Sequence, residues 1–241
     1  MVQAQVMDAL SRARSALPVV LGLVLVVGGA AGFVGVLDAV QDADDVAVLD
    51  EPVLRLLVAL RSEPVTWFMV AVSTVTGPVV LPVLVVVAAL VWGFVRRTWW
   101  EVVLLVTAMV ASTGVQLAIK DLVARPRPPV DALATATEEV GYAFPSGHTI
   151  ATATFLLVGG YLVWVRRPRA HTLVLWWAVV AAGTALVAGS RLYLGYHFVS
   201  DVLASSMLAV AVLGGVVVLD RRRAARTPDP ASATRTAGPG A

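Results

Sequence analysis

Six apolar stretches, each close to the length needed to cross a bilayer, limit most strongly how this 241-residue chain can fold. A transmembrane helix needs about 20 consecutive apolar residues. Only helices and closed barrels satisfy their own backbone hydrogen bonds inside a membrane. The pattern predicts an all-α, polytopic membrane bundle of six transmembrane helices. The predicted spans cover residues 17–37, 79–95, 102–119, 148–165, 172–189 and 202–219.

The region before the second span is predicted to hold two shorter helices. Residues 52–61 place apolar side chains among charges, which suits a short helix lying on the membrane surface. Residues 65–76 are apolar but too short to cross alone, and Gly77 and Pro78 then interrupt the run. We expect a buried or half-inserted lead-in helix there, with one kinked span as the alternative. Residues 38–51, a segment rich in aspartate, are expected to form a solvated loop.

The two ends of the chain differ in composition from its apolar centre. Residues 1–16 form a polar lead, and residues 227–241, rich in Ala, Pro, Thr and Gly, are predicted to be a disordered tail. One membrane domain over residues 17–226 lies between them. Small residues at 28–32 would also fit a signal-peptide cleavage site. The first apolar run exceeds the roughly 7–15 residues of a signal core, which favours an uncleaved anchor.

The arginine and lysine residues predict how the bundle is oriented in the cell membrane. Basic residues concentrate on the cytoplasmic side. With six spans and a cytoplasmic N-terminus, twelve of the eighteen basic residues lie in cytoplasmic segments, and both termini are cytoplasmic. The loops after the third and fifth spans then share the other side. Residues 120–148 and 190–201 are therefore expected to meet at the extracytoplasmic face.

The first polar stretch at that face is KDLVARPRP, residues 120–128. It carries Lys120, Arg125 and Arg127 beside the membrane. Arginine forks match phosphate oxygens in a bidentate way, and lysine adds a point charge. The stretch therefore suits phosphate binding, with snorkelling to lipid headgroups as the alternative.

The second stretch is GYAFPSGH, residues 141–148, which leads into an apolar run. Ser146 is a good N-cap for the following helix, and Gly147 lets a ligand approach the backbone. The free N–H groups of a helix start favour an anion. His148 in the first turn is placed to donate a proton. The alternative is a capped helix with an incidental interfacial histidine.

The third stretch is SRLYLGYHFVSD, residues 190–201. A helix is expected to begin near residue 196 or 197, so that His197 and Asp201, four residues apart, share a face. A carboxylate on one imidazole nitrogen leaves the other as a directed nucleophile or base. Arg191 adds another phosphate-binding fork. The alternative is an ion pair at a helix start without catalysis.

Together the stretches predict a phosphate site that contains a nucleophile and an acid. The chain has no cysteine, which excludes thiolate chemistry, and its net charge of +2 does not suggest a nucleic-acid partner. Asp121 and Asp131 lie apart beside arginines and are a weak basis for a metal site. No metal or other cofactor is expected.

The three stretches resemble the motifs of the type 2 phosphatidic acid phosphatase superfamily, membrane lipid phosphatases whose active site is shared with vanadium haloperoxidases. The motifs are Lys, six residues, Arg-Pro; Pro-Ser-Gly-His; and Ser-Arg, five residues, His, three residues, Asp. All are complete here, in order. Arg125 lies outside them and is left as a helper or a bystander. The matching residues are Lys120, Arg127, Pro128, Pro145, Ser146, Gly147, His148, Ser190, Arg191, His197 and Asp201.

The resemblance implies a role for each matched polar residue. His197 would attack phosphorus and form a phosphohistidine, with Asp201 orienting its imidazole. His148 would protonate the leaving oxygen and then activate water. The chemistry would need no metal. The phosphoryl oxygens would be held by Lys120, Arg127, Arg191, the Ser146 hydroxyl and the Gly147 amide.

Three functions remain open from the sequence. The leading one is hydrolysis of lipid phosphates or diphosphates taken from the surrounding membrane lipids, such as undecaprenyl diphosphate, phosphatidic acid or phosphatidylglycerol phosphate. A phosphotransferase of the same family would pass the phosphoryl group to an alcohol instead. A polytopic transporter or structural protein would only bind anions. Haloperoxidase activity is not expected, because those relatives are soluble.

Overall fold

The computed structural model describes residues 2–135 and 139–226, with side chains from residue 16 onwards, and all regular structure in those ranges is helical. This confirms the all-α prediction. The predicted disordered tail, residues 227–241, lies outside the described residues. The α-helices are α1 (Val2–Asp42), α2 (Asp50–Ala59), α3 (Glu63–Val75), α4 (Val80–Arg96), α5 (Trp99–Val123), α6 (Gly147–Arg166), α7 (Ala170–Tyr193) and α8 (Val199–Arg226), with short 3-10 turns at Asp45–Leu49 and Val130–Ala132.

Five helices are long and apolar enough to cross a membrane alone, namely α1 from Ala16 onwards, α5, α6, α7 and α8. Helices α3 and α4 meet that test only as a pair, bent by 53° at their break. Pro78 lies in the break, and a proline disfavours helical geometry in the residue before it. Counted as one broken span, the pair would bring the five spans to the predicted six, and α2 is the short helix before it.

The acidic segment 38–51 is not a solvated loop throughout. Helix α1 extends to Asp42, and α2 begins at Asp50. The Asp50 carboxylate is buried, 2.7 Å from Arg125 Nη2. The loop prediction is wrong at Asp50, because a guanidinium rather than water compensates its charge.

Helices α5 and α7 are longer than predicted. Helix α5 continues through Val123, which places Lys120 in its last turn instead of in a loop. Helix α7 continues to Tyr193 and includes Arg191. Both cations are therefore fixed to rigid helix ends, which holds them in place better than a loop would.

Helix α8 begins later than predicted. The chain turns at Gly195, whose φ is 79°, and the helix starts at Val199. Asp201 Oδ2 accepts the Phe198 N–H at 2.8 Å, which satisfies one of the donors left free at a helix start. His197 therefore precedes the helix, and the expected start at residue 196 or 197 is wrong.

Helices α6 and α8 form the centre of the bundle. Helix α8 packs so closely along α1 that a methyl group on Gly29 would lie 2.6 Å from the Met207 carbonyl oxygen. Small residues permit such close contact between membrane helices. Helix α6 packs against α5, α7 and α8 through buried aliphatic side chains such as Leu157. This packing brings the ends of α5 and α7 and the starts of α6 and α8 to one end of the bundle.

Candidate active site

The three polar stretches meet at that end of the bundle. The Ser146 N–H lies 3.3 Å from the Asp201 carbonyl oxygen, which joins the starts of α6 and α8. Arg127 Nη1 donates to the Tyr196 carbonyl oxygen at 3.0 Å, which ties the loop after α5 to the turn before α8. The structure thus brings together segments that are up to about eighty residues apart in the chain.

His197 and Asp201 form a buried pair. His197 Nδ1 lies 3.3 Å from Asp201 Oδ2, and the two side chains are 1% and 0% exposed. The contact with the carboxylate engages Nδ1, so Nε2 is the ring nitrogen that does not face Asp201. Burial lowers the pKa of His197 to about 4, although the Asp201 carboxylate opposes the shift. The imidazole is therefore neutral near pH 7, the form that a nucleophile requires.

Arg125 holds the second oxygen of Asp201. Its Nη1 lies 2.6 Å from Asp201 Oδ1 and 2.7 Å from Ser200 Oγ, while Nη2 binds Asp50 Oδ2 at 2.7 Å. Asp50 Oδ1 accepts the Ser200 N–H at 2.9 Å. Arg125 is thus the centre of a network behind the His197–Asp201 pair. Asp50 and Ser200 were missed, because no motif spacing links them to it.

One carboxylate, that of Glu139, bridges two of the predicted phosphate-binding arginines. Arg191 is fully buried and donates through Nη2 to Glu139 Oε1 and through Nη1 to Ser73 Oγ. Arg127 Nη1 lies 3.1 Å from Glu139 Oε2. The two carboxylate oxygens thus form an anionic group held by two guanidinium groups. Sequence analysis missed Glu139 and Ser73, which lie outside the motifs.

The charges around Glu139 keep it ionised. Burial raises the pKa of this carboxyl, but the Arg191 charge and the neighbouring His197, His148 and Arg127 outweigh burial and lower it overall. An anion in this position is therefore stabilised by two guanidinium groups and lies near both histidines. This is the electrostatic environment that a phosphate group needs.

The start of α6 differs in one detail from the prediction. Ser146 occupies the N-cap position, but its hydroxyl makes no cap hydrogen bond and accepts one from Thr149 Oγ1 at 3.0 Å. Ser146 is therefore the N-cap residue, as predicted, but its side chain does not supply the capping hydrogen bond. A methyl group on Gly147 would lie 3.6 Å from the Gln116 amide, an ordinary van der Waals contact, so this side chain lies beside the Gly147 backbone.

His148 and Lys120 lie on either side of the loop that carries Glu139. His148 is in the first turn of α6, and a methyl group on Gly77 would lie 3.6 Å from its Nε2. The imidazole thus faces the break between α3 and α4. Lys120 Nζ donates to the Tyr142 carbonyl oxygen at 2.5 Å, so the ammonium binds the loop backbone in this state.

A cavity of about 370 Å³ extends from these polar groups to the α3–α4 break. Its polar side includes Glu139, His148 and Ser73, and its apolar side includes Val70 and Val80. A molecule with a phosphate at one end and an apolar chain at the other matches this lining. In residues 2–135 and 139–226 no three His, Asp or Glu side chains are grouped closely enough to hold a metal ion.

Comparison with known proteins finds relatives that share the name phosphatidylglycerophosphatase B. Phosphatidylglycerophosphatase B of Escherichia coli K12 is 26% identical over 216 residues, covering 70% of this chain and 83% of the relative. The Bacillus subtilis protein of that name is 28% identical over 177 residues, covering 72% and 81%. Both relatives are matched over most of their length.

Solved structures agree with the sequence comparison. The crystal structure of the transmembrane PAP2 type phosphatidylglycerolphosphate phosphatase from Bacillus subtilis has a TM-score of 0.66 at 26% identity, covering 86% of this chain and 97% of that one. Aquifex aeolicus LpxE, at 21% identity and a TM-score of 0.54, shares the fold. The family model of the PAP2 superfamily, the type 2 phosphatidic acid phosphatases, matches residues 101–225. This range is more than half of the chain and contains all three motifs. The protein therefore belongs to the PAP2 superfamily, as its motifs predicted.

Proposed function

We propose that the protein hydrolyses the terminal phosphate of a membrane lipid phosphate or diphosphate through a phosphohistidine on His197. The bridge that Glu139 makes between Arg127 and Arg191 carries the proposal, because it marks an oxyanion site. That site is near a neutral histidine that a carboxylate orients. The family and its lipid phosphatase relatives support a phosphatase acting on lipid phosphates.

The reaction proceeds in two steps. The Nε2 lone pair of His197 attacks phosphorus, and the bond from phosphorus to the lipid oxygen breaks. His148, protonated beside the bound phosphate anion, gives its proton to that oxygen, so the lipid leaves as an alcohol, or as a lipid monophosphate when the substrate is a diphosphate. A water molecule then loses a proton to His148 and attacks phosphorus, and the N–P bond breaks. Phosphate leaves, and both histidines return to their initial protonation states.

Binding of the phosphoryl group rearranges the cations. The substrate phosphate replaces the Glu139 carboxylate on Arg127 and Arg191, and Lys120 turns from the Tyr142 carbonyl to a phosphoryl oxygen. The Ser146 hydroxyl and the Gly147 amide complete the set of groups that hold the oxygens. Such a clamp acts by stabilising the charge that spreads over those oxygens in the transition state.

Phosphatidylglycerol phosphate is the first substrate to test, because the curated relatives in Escherichia coli and Bacillus subtilis are phosphatidylglycerophosphatases. Phosphatidic acid and undecaprenyl diphosphate carry the same combination of terminal phosphate and apolar chains. The cavity beside the α3–α4 break supports a lipid of this kind, since its apolar side belongs to a helix pair that is apolar enough to enter a membrane.

We further propose that the active site lies outside the cytoplasm and both termini inside, with residues 17–226 as one membrane domain. The concentration of basic residues at the other end supports this orientation. Because the chain has no cysteine, single variants can be labelled without background. Val140→Cys, in the exposed active-site loop, is expected to react with an impermeant maleimide on intact cells. Arg169→Cys is expected to react only after permeabilisation, and the reverse pattern contradicts the orientation.

The direct test is phosphate release by detergent-purified protein from a panel of these three lipids. His197→Ala is expected to abolish release. His171→Ala is the matched control, because this third histidine lies at the start of α7, at the opposite end of the bundle. Activity is expected to persist in EDTA and to be inhibited by vanadate. Full activity of His197→Ala would refute the mechanism, and products formed with an added alcohol instead of water would indicate a phosphotransferase.

A further inference from the structure

We propose that the end of the bundle opposite the active site binds an anionic phospholipid, with its phosphate at a cluster of guanidinium groups and one acyl chain in an apolar groove. The site lies between the end of α4, the start of α5, the end of α6 and the start of α7. It shares no residue with the candidate active site, so the proposal is independent of the catalytic function.

The groove has a volume of about 360 Å³ and runs between helices α4, α5, α6 and α7. This is within the range of about 300–1,000 Å³ that is typical of ligand sites. Its walls are almost wholly apolar. They include Leu105 of α5, Phe155 and Leu156 of α6, and Leu175 and Trp176 of α7.

Two neighbouring glycines on α6 shape the groove. A methyl group on Gly160 would lie 1.8 Å from the Trp176 ring, whose Nε1 donates to the Leu156 carbonyl oxygen at 3.2 Å. The indole is therefore fixed against α6 and forms a firm wall. A methyl group on Gly159 would meet nothing within 4 Å, so the groove is open beside that residue.

A polar cavity of about 220 Å³ continues the groove at the end of the bundle. Trp92 and Glu101 line both spaces, which makes them one amphipathic site. The polar part also contains Arg96, Arg166 and Arg167. An occupant with an acidic head and an apolar chain fits this division.

The charge of the polar part is positive. The buried Glu101 carboxylate accepts hydrogen bonds from Trp92 Nε1 at 2.5 Å and Thr98 Oγ1 at 2.9 Å, and from Arg166 Nε. One carboxylate thus faces three guanidinium groups. Arg96 lies over the Trp92 ring, 5.4 Å from its centroid, which holds this cation at the junction of the two spaces.

These features favour an anionic phospholipid over a zwitterionic one. Basic pockets between transmembrane helices recognise acidic lipid headgroups, and arginine forks match phosphate oxygens. A phosphatidylcholine headgroup carries no net charge and would place its own cation among three others. An acyl chain alone would fill the groove but leave the arginines without an anion.

The test is native mass spectrometry of the 241-residue protein in detergent with phosphatidylglycerol and phosphatidylcholine of identical acyl chains. Wild type is expected to retain phosphatidylglycerol preferentially. The variant Arg96→Gln/Arg167→Gln is expected to lower that preference roughly tenfold or more. Arg166 is left in place because Glu101 needs it. The control variant Arg97→Gln/Arg169→Gln removes the same charge at the same end, outside the lining, and is expected to keep the preference.

A second variant tests the groove separately. Gly159→Leu fills the open space and is expected to lower retention of both lipids severalfold. Gly35→Leu, on the exposed side of α1 where nothing lies within 4 Å, is its control. Equal retention of the two lipids by wild type would overturn the proposal. So would an unchanged preference in Arg96→Gln/Arg167→Gln, or unchanged retention in Gly159→Leu.

Discussion

Replacing Arg125 tests the network behind the proposed nucleophile. Arg125→Gln leaves Asp50 and Asp201 as buried carboxylates without the guanidinium that joins them. Removing one partner of a buried ion pair costs about 3–5 kcal/mol of stability. Asp201 also loses a charge-assisted hydrogen bond, worth about 1.5–3 kcal/mol. We therefore expect a lower unfolding temperature and a fall in kcat of roughly 10- to 100-fold, with little change in KM, because Arg125 lies outside the phosphate clamp.

A double-mutant cycle of Asp50 and Arg125 distinguishes a direct energetic coupling between these two residues from a general loss of packing. Asp50→Asn alone keeps the Arg125–Asp201 pair and is expected to cost less than tenfold in kcat. Asp50→Asn/Arg125→Gln contains one uncompensated carboxylate fewer than Arg125→Gln, so it is expected to be the more stable of these two variants. The coupling should be about 0.5–3 kcal/mol, as for residues that share a partner.

The measurements are kcat and KM for a short-chain phosphatidic acid, and the unfolding midpoint in detergent. Arg55→Gln is the matched control. Arg55 pairs with Glu51 at 3.8 Å on the surface, where the side chains are 71% and 58% exposed, so its loss is expected to cost at most about 1 kcal/mol. Additive effects in the cycle, or a rise in KM with unchanged kcat, would refute the positioning role of Arg125.

Single substitutions at Glu139 and Gly160 and a titration of His197 test three separate features of the structure. Glu139→Gln removes the carboxylate that competes with vanadate for Arg127 and Arg191. Vanadate is therefore expected to bind this variant roughly tenfold more tightly, a difference of about 1.4 kcal/mol in binding free energy. Weaker binding of vanadate would contradict this. An NMR titration of the ¹⁵N-labelled His197 imidazole is expected to show protonation only as pH falls to about 4. A titration midpoint near the ordinary histidine pKa of about 6.5 would show that burial does not control the pKa of His197. Gly160→Ala is expected to lower the unfolding temperature through its clash with Trp176, while Gly159→Ala is not, and equal effects would argue against this packing.

The sequence predicted the helical membrane bundle and the meeting of its three motifs, because both follow from simple rules. Apolar length identifies a span, and parity places alternate loops on one side. The bend between α3 and α4 was also visible as Pro78 in an apolar run. Helix boundaries were less predictable. His197 lies before α8 because the Asp201 side chain caps Phe198, a contact that spacing alone does not reveal.

The partners of the motif residues were not predictable in the same way. Asp50 lies in an acidic run whose other members gave no reason to distinguish it, and only the packing of α2 against α8 brings it to Arg125. Glu139 contacts Arg191 because of the path that the α5–α6 loop takes, and the sequence of this loop has no hydrophobic periodicity from which that path could be predicted. Ser73 belongs to an apolar helix and is identified only by its contact with Arg191.

The most direct test of the mechanism is to trap the covalent intermediate. The purified protein would be mixed with a lipid phosphate carrying ³²P in its terminal group and quenched in alkali, which preserves phosphohistidine. The labelled peptide would then be sequenced. We predict label on His197 in the wild type. Turnover without label on His197, or label on His148 instead, would contradict the account.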